Sequence, residues 1–251
     1  MSKCKFCEQE LVIELDPDSF DEATASSSVG SSVTAPDDLL LPCGCHFHWQ
    51  CLLDESTQVA LSLACPACDN SIVSTSPGPQ PHILVRYHNE GGIQTNLDIL
   101  PLITEEAYLE SNPTARPALA FMTMCAEGDV SGIVQMLKDL EDNENEGEMS
   151  SGEILRYQDP LDGMKTGLIV AVLKEQQEVV WLLLWLASGL HTLAFPEEVS
   201  RAAQVMGADR ATASGVDIRT LSDEQSRTAE DLARSMGDTW GVLLGEGLLR
   251  A

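Results

Sequence analysis

Cys43-Gly44-Cys45-His46-Phe47-His48-Trp49-Gln50-Cys51 is the stretch on which the reading of this chain turns. Cys4 and Cys7 lie upstream of it and Cys65 and Cys68 downstream. Seven of the eight cysteines thus fall into a Cys-x2-Cys pair, a Cys-x-Cys-x2-His-x2-Cys block and a closing Cys-x2-Cys pair. With His48 they make eight soft or borderline ligands, enough for two tetrahedral zinc sites. Thiolate with imidazole suits zinc, and a two-residue gap lets two sulfurs reach one ion without straining the loop. A disulfide framework or an iron-sulfur cluster is the rival. The chain opens Met1-Ser2-Lys3-Cys4-Lys5 with no apolar signal segment, so the expected setting is the reducing cytoplasm or nucleus, where thiols stay free.

This pattern resembles a RING finger, over residues 1–75. Leu41-Pro42-Cys43-Gly44 and Phe47-His48-x2-Cys51-Leu52 match the central block of that family, with Cys45 where most members have histidine and His46 left over. The resemblance implies interleaved ligation, with Cys4, Cys7, His48 and Cys51 on one zinc ion and Cys43, Cys45, Cys65 and Cys68 on the other. Four cysteines, one histidine and three cysteines is also the order of plant-homeodomain and variant RING fingers, but those place a longer gap before the histidine. The family's groove for a ubiquitin-conjugating enzyme would fall on Phe6, Leu52 in a helix over Cys51–Ala60, and Pro66. Asp69 follows the last cysteine where many active members carry arginine or lysine. An acid cannot donate the hydrogen bonds of a guanidinium.

The 251 residues carry a net charge of −26, from 14 Lys and Arg against 40 Asp and Glu, which would repel a phosphate backbone; nucleic acid is an unfavoured partner. The most lipid-like run, Val179–Phe195, includes Ser188, Gly189 and His191, so a buried helix is expected and not a membrane span. Glu10–Leu15 reads as a strand. Residues 16–38, rich in Asp, Ser, Thr and Gly, read as a disordered insert with little to bury. Residues 76–115 read as a linker, stiffened by Pro77, Pro79 and Pro81, holding a hairpin from His82–Tyr87 and Ile93–Leu97. His82 and His88 are expected to face solvent.

From residue 116 to 251 a helical period emerges. Thr166-Gly167-Leu168-Ile169 followed by Glu178-Val179-Val180-Trp181-Leu182-Leu183-Leu184 resembles an ankyrin repeat. Weaker copies begin near Cys125 and Asp223, and Glu197–Gly207 reads as a worn first helix. Glu175, Gly207 and Gly237 lie about 30 residues apart, near that family's period. Such helix pairs bury their apolar stripes only by stacking. Residues 140–151 read as an acidic loop, and Cys125 as a buried small hydrophobe.

The fold class expected is therefore a small zinc-stapled RING finger plus a mainly α, ankyrin-like helical domain. What the resemblances imply is a RING-type ubiquitin ligase or ligase adaptor: the finger recruits a ubiquitin-conjugating enzyme, the repeats hold a protein substrate, and no residue of this chain forms a covalent intermediate. The alternative is a scaffold that only binds. No phosphate-cradling loop, nucleophile elbow or zinc-protease helix is present in the sequence.

Overall fold

The computed structural model describes residues 2–14, 34–74, 81–142, 147–208, 210 and 215–251. The chain divides into two compact units, Met1–Ser111 and Asn112–Ala251.

In the first unit, β1 (Val12–Glu14) pairs antiparallel with β2 (Thr34–Pro36). Most of the insert expected over 16–38 lies outside the described residues, but its end is ordered β structure. Backbone pairing replaces the apolar anchors that the composition lacks, and Asp37 is buried. Next come β3 (Asp38–Leu40), β4 (His46–Phe47), α1 (Trp49–Leu53) and α2 (Ser56–Ser62). The single helix expected over Cys51–Ala60 is thus two, broken at Asp54 and Glu55, and both Leu52 and Val59 turn inward.

The stretch read as a linker supplies β5 (Leu84–Asn89), β6 (Gly92–Asp98) and α3 (Leu100–Ser111). β5 pairs with β3 as well as with β6, giving an antiparallel sheet in the order β4-β3-β5-β6, and α3 packs on α2. Leu39, Phe47, Leu52, Val59, Ile83, Val85 and Ile103 form the core beneath it. His82 does not simply face water: its Nδ1 lies 2.7 Å from Asp98 Oδ2, whose other oxygen accepts from the Ile83 amide. The residues joining the two parts, 75–80, are outside the described set.

The second unit is mainly helical. It contains α4 (Arg116–Glu127), α5 (Val130–Asp142), α6 (Ser151–Leu155), α7 (Gly167–Leu173), α8 (Gln177–Ala187), α9 (Glu197–Met206), α10 (Ala229–Ser235) and α11 (Gly241–Gly245). A two-residue hairpin, β7 (Gln158–Asp159) with β8 (Lys165–Thr166), leads into α7. α4 packs on α7 and α7 on α10, while α5 packs on α8, so the pairs stack side by side. α8 is buried along most of its circumference because neighbours cover it on several sides. Among the described residues no helix is long and apolar enough to cross a membrane.

The same local device opens α7 and α10. Thr166 Oγ1 accepts from the Ile169 amide, and Thr228 Oγ1 from the Asp231 amide with the reciprocal bond that completes a capping box. Before each threonine a buried aspartate holds a turn: Asp159 accepts from the Leu161 amide, Asp223 from those of Gln225 and Arg227. No such turn precedes α9. Glu197–Met206 is therefore not a first helix of the row; α7 meets α10 directly and α9 lies on α8 instead. The acidic loop also begins later than its composition suggests, because α5 continues to Asp142 with Leu140 against the core. Ser150 caps α6 in a capping box with Glu153, and 143–146 are outside the described residues.

At the start of α7, Gly167 lets two helices approach closely. A Cβ there would come within 2.6 Å of the Phe121 ring and 2.9 Å of Cys125 Sγ, both on α4. Cys125 is fully buried, and burial pushes its thiol up, so it packs as an apolar residue. We expect Gly167→Val to cost the second unit about 2 kcal/mol through overpacking, read as a lower urea midpoint with unchanged metal content.

Acid should act on this unit through its paired carboxylates. Burial opposes ionisation of Asp217 and Asp223, but the guanidinium groups of Arg219 and Arg227 outweigh it and hold both below the ordinary range. Their contribution is complete above the unfolded value, about 4, and is lost as pH falls through the depressed native value. The melting temperature should therefore drop on acidification below about pH 4, and Asp217→Asn should show a shallower fall than wild type.

Candidate metal centre

Three tight turns and the start of α1, which carries His48 as its cap and Cys51 within it, present the ligands. In the first turn, Cys4 N donates to Gln9 O at 3.0 Å and Glu8 N to Cys4 O at 3.0 Å. In the last, Cys65 N donates to Asn70 O at 2.9 Å and Asp69 N to Cys65 O at 2.9 Å. The residue just after each second cysteine, Glu8 or Asp69, is left-handed, with φ of 61° and 57°. Each turn is closed by an antiparallel bridge, Lys3 to Glu10 and Ala64 to Ser71. Asp69 thus has a backbone duty besides its charge, since aspartate adopts this conformation more readily than most residues. Between Cys43 and Cys45, Gly44 takes φ 86°, which a larger residue would adopt only under strain.

The turns and α1 together gather two ligand sets. Cys4, Cys7, His48 and Cys51 bring their ligand atoms within 4.8 Å of one another, and so do Cys43, Cys45, Cys65 and Cys68. In a tetrahedral zinc site, sulfurs about 2.3 Å from the ion lie about 3.8 Å apart, so modest contraction around an ion completes either set. The sets cross in sequence: the first and third ligand pairs form one, the second and fourth the other. All eight cysteines are free thiols.

His48 is oriented from behind. Its Nε2 is 2.8 Å from the carbonyl oxygen of Glu10, which can only accept, so Nε2 carries the proton. The unprotonated Nδ1 then faces the thiols, 3.3 Å from Cys7 Sγ and 3.8 Å from Cys51 Sγ. A carbonyl fixing the tautomer of a ligating imidazole is the usual support of a metal-bound histidine. His46 belongs to neither set; its Nδ1 pairs with Asp38 Oδ1 at 2.6 Å.

Thiolate character is shared unevenly in each set. Burial opposes ionisation of Cys4, but the amides of Cys7, His48 and Phe6 bring its thiol down to about 6. Burial and the neighbouring thiols push Cys51 up to about 12. In the other set the Asn70 amide draws Cys68 down, while burial first, and then adjacent thiols, push Cys45 up to about 12 and raise Cys65. One negative charge disfavours the next at this spacing, and a divalent cation removes the conflict. The residues therefore fit a metal ion at each set, and their thiolate and imidazole chemistry is consistent with zinc.

The residues assigned to partner contact diverge. Phe6 is 52% exposed and Pro66 half-buried, but Leu52 is only 1% exposed. Leu52 belongs to the core and not to a docking surface, because α1 turns that face toward Phe47 and Val59 in the same apolar cluster.

One site residue escaped sequence reasoning. The buried carboxylate of Asp37 accepts from the Trp49 amide at 3.1 Å, at the start of the helix carrying Cys51, and from the Tyr87 hydroxyl at 2.9 Å. Burial and this carboxylate push the Tyr87 phenol up to about 12. Trp49 and Tyr87 also stack with ring centroids 4.9 Å apart. No known family profile, curated protein or solved structure matches the chain.

Purified protein should hold two equivalents of zinc by elemental analysis, and His48→Ala about one. Excess chelator should make the first unit protease-sensitive while the helical signal of the second persists. Retention of both ions in His48→Ala would contradict the ligand assignment.

Proposed function

We propose that this chain is a RING-type ubiquitin ligase, or the adaptor subunit of one. Its first unit holds two zinc ions and recruits a ubiquitin-conjugating enzyme, and its second, read as ankyrin-like repeats, holds a protein substrate. The observation that carries this reading is the crossing of the two ligand sets, the ligation pattern implied by the resemblance at residues 1–75. Exposed Phe6 and half-buried Pro66, beside ligands of different sets, give the finger an apolar surface. The paired Asp–Thr turns before α7 and α10, with first helices stacked on first helices, support the repeat reading. A ligase of this type supplies orientation and not acid-base chemistry, so no residue has a covalent role. The cytoplasm or nucleus is the compartment that suits its thiols.

The second reading, a scaffold that binds without promoting transfer, is favoured by Asp69. It sits exposed after the last cysteine and offers a carboxylate where a donor would be needed.

Self-ubiquitination separates the two. With a panel of ubiquitin-conjugating enzymes, wild-type protein should build ubiquitin chains, Pro66→Ala should slow them by about tenfold, equivalent to about 1.4 kcal/mol, and Cys43→Ser should abolish them. Zinc-loaded protein that neither binds nor stimulates any enzyme of the panel would establish the scaffold.

A further inference from the structure

Helix α9 gives the second unit a feature that a plain row of helix pairs lacks. It lies on α8, and between α8, α9 and the start of α5 opens a groove of about 340 Å³. Its apolar lining includes Trp181, Leu182, Trp185, Val199 and Met206, and among the described residues the carboxylates that line it are those of Glu178 and Glu198. Among the described residues, no lysine or arginine lines it. Both glutamates are exposed and, among the described residues, neither makes an ion pair, whereas the adjacent Glu197 is held by Arg201.

The floor is braced. Trp185 Nε1 donates to Ala208 O at 3.0 Å, and its ring meets Phe195 edge-on at 5.2 Å. Arg210 stacks over both rings, 5.4 Å and 5.5 Å from their centroids, and donates to the carbonyls of Ser188 and Leu190. Trp185 and Arg210 are thus committed to the structure, while Trp181 remains partly open.

We propose that this groove docks a basic segment of a partner protein. One large apolar side chain seats against Trp181 and Met206, and flanking lysines or arginines pair with Glu178 and Glu198. The volume is at the small end of ligand sites, which suits one or two side chains better than a cofactor. The charge argues for a foreign occupant: with 40 acidic against 14 basic residues, a second copy would bring carboxylates to carboxylates. A cation beside the open Trp181 ring gains further from the indole face. The inference rests on the second unit being a partner-holding domain, and it names the chemistry of the segment held.

The test uses full-length zinc-loaded protein and labelled peptides with a central leucine or phenylalanine flanked by Lys and Arg, by Ser, or by Glu. Fluorescence anisotropy should show binding of the basic series alone, weakened by salt. Glu178→Lys with Glu198→Lys should weaken it by about tenfold or more, and Ala202→Trp, which fills the groove from an exposed position, should abolish it with circular dichroism unchanged. Equal binding of the Ser or Glu series, indifference to these variants, failure of every peptide to bind, or a dimer dispersed by Ala202→Trp would each overturn the proposal. Self-ubiquitination of the same samples keeps the readings separable. Transfer without peptide binding sinks the groove alone, and peptide binding without transfer sinks the ligase alone.

Discussion

Each metal set draws its ligands from turns far apart in the chain, and the two sets share the central block between them. Cys43 and Cys45 belong to one set, His48 and Cys51 to the other, so neither can assemble without placing the segment that serves both. The ligand-bearing turns have little apolar area of their own to offset their conformational entropy, and coordination of a metal ion would make up what packing there does not supply. Cys4, Cys45 and Cys65 are themselves members of that core. Metal coordination and packing would therefore act on the same residues.

Hydrogen bonds around the ligands do the remaining positioning. The carbonyl of Glu10 settles which nitrogen of His48 is free, and Asp37 anchors the start of α1, hence the placement of Cys51. The second unit relies on a different constraint, repeated turns in which a buried aspartate holds the loop and a threonine caps the helix that follows. Gln176 Nε2 reaches the carbonyl of Ala126 at 2.9 Å and links the loops of adjacent pairs. The helix that interrupts this order, α9, lacks the turn and has gone elsewhere.

What was legible in the sequence was whatever has a local signature. Cysteine spacing pointed to the eight residues that the structure brings into two sets, since a two-residue gap constrains geometry on its own. Thr166 announced itself as a cap, and the apolar run after Glu178 as a buried helix. Residues whose roles depend on distant partners were not legible. Asp37 looks like one more acid of a polar insert, and its partners Trp49 and Tyr87 lie 12 and 50 positions away. Leu52 shows why family position alone misleads: it shares a helix with a ligand, but its orientation is set by the packing of α1 and not by its neighbour. The period near 30 residues suggested a first helix at Glu197–Gly207, because periodicity does not report which neighbour a helix chooses.

The pairing of β5 with β3 separates two boundaries that a motif-based reading merges. The last ligand is Cys68, but Leu39 and Leu40, which lead into the central ligands, have their second strand partner at Tyr87 and Arg86. A fragment trimmed to the cysteine pattern would keep every metal-binding atom and still bare one edge of β3, together with the side of α2 that α3 covers. The compact piece of this region is therefore set by completion of the sheet and by the packing of α3 on α2, and it ends near Ser111, well beyond the ligands that define it chemically.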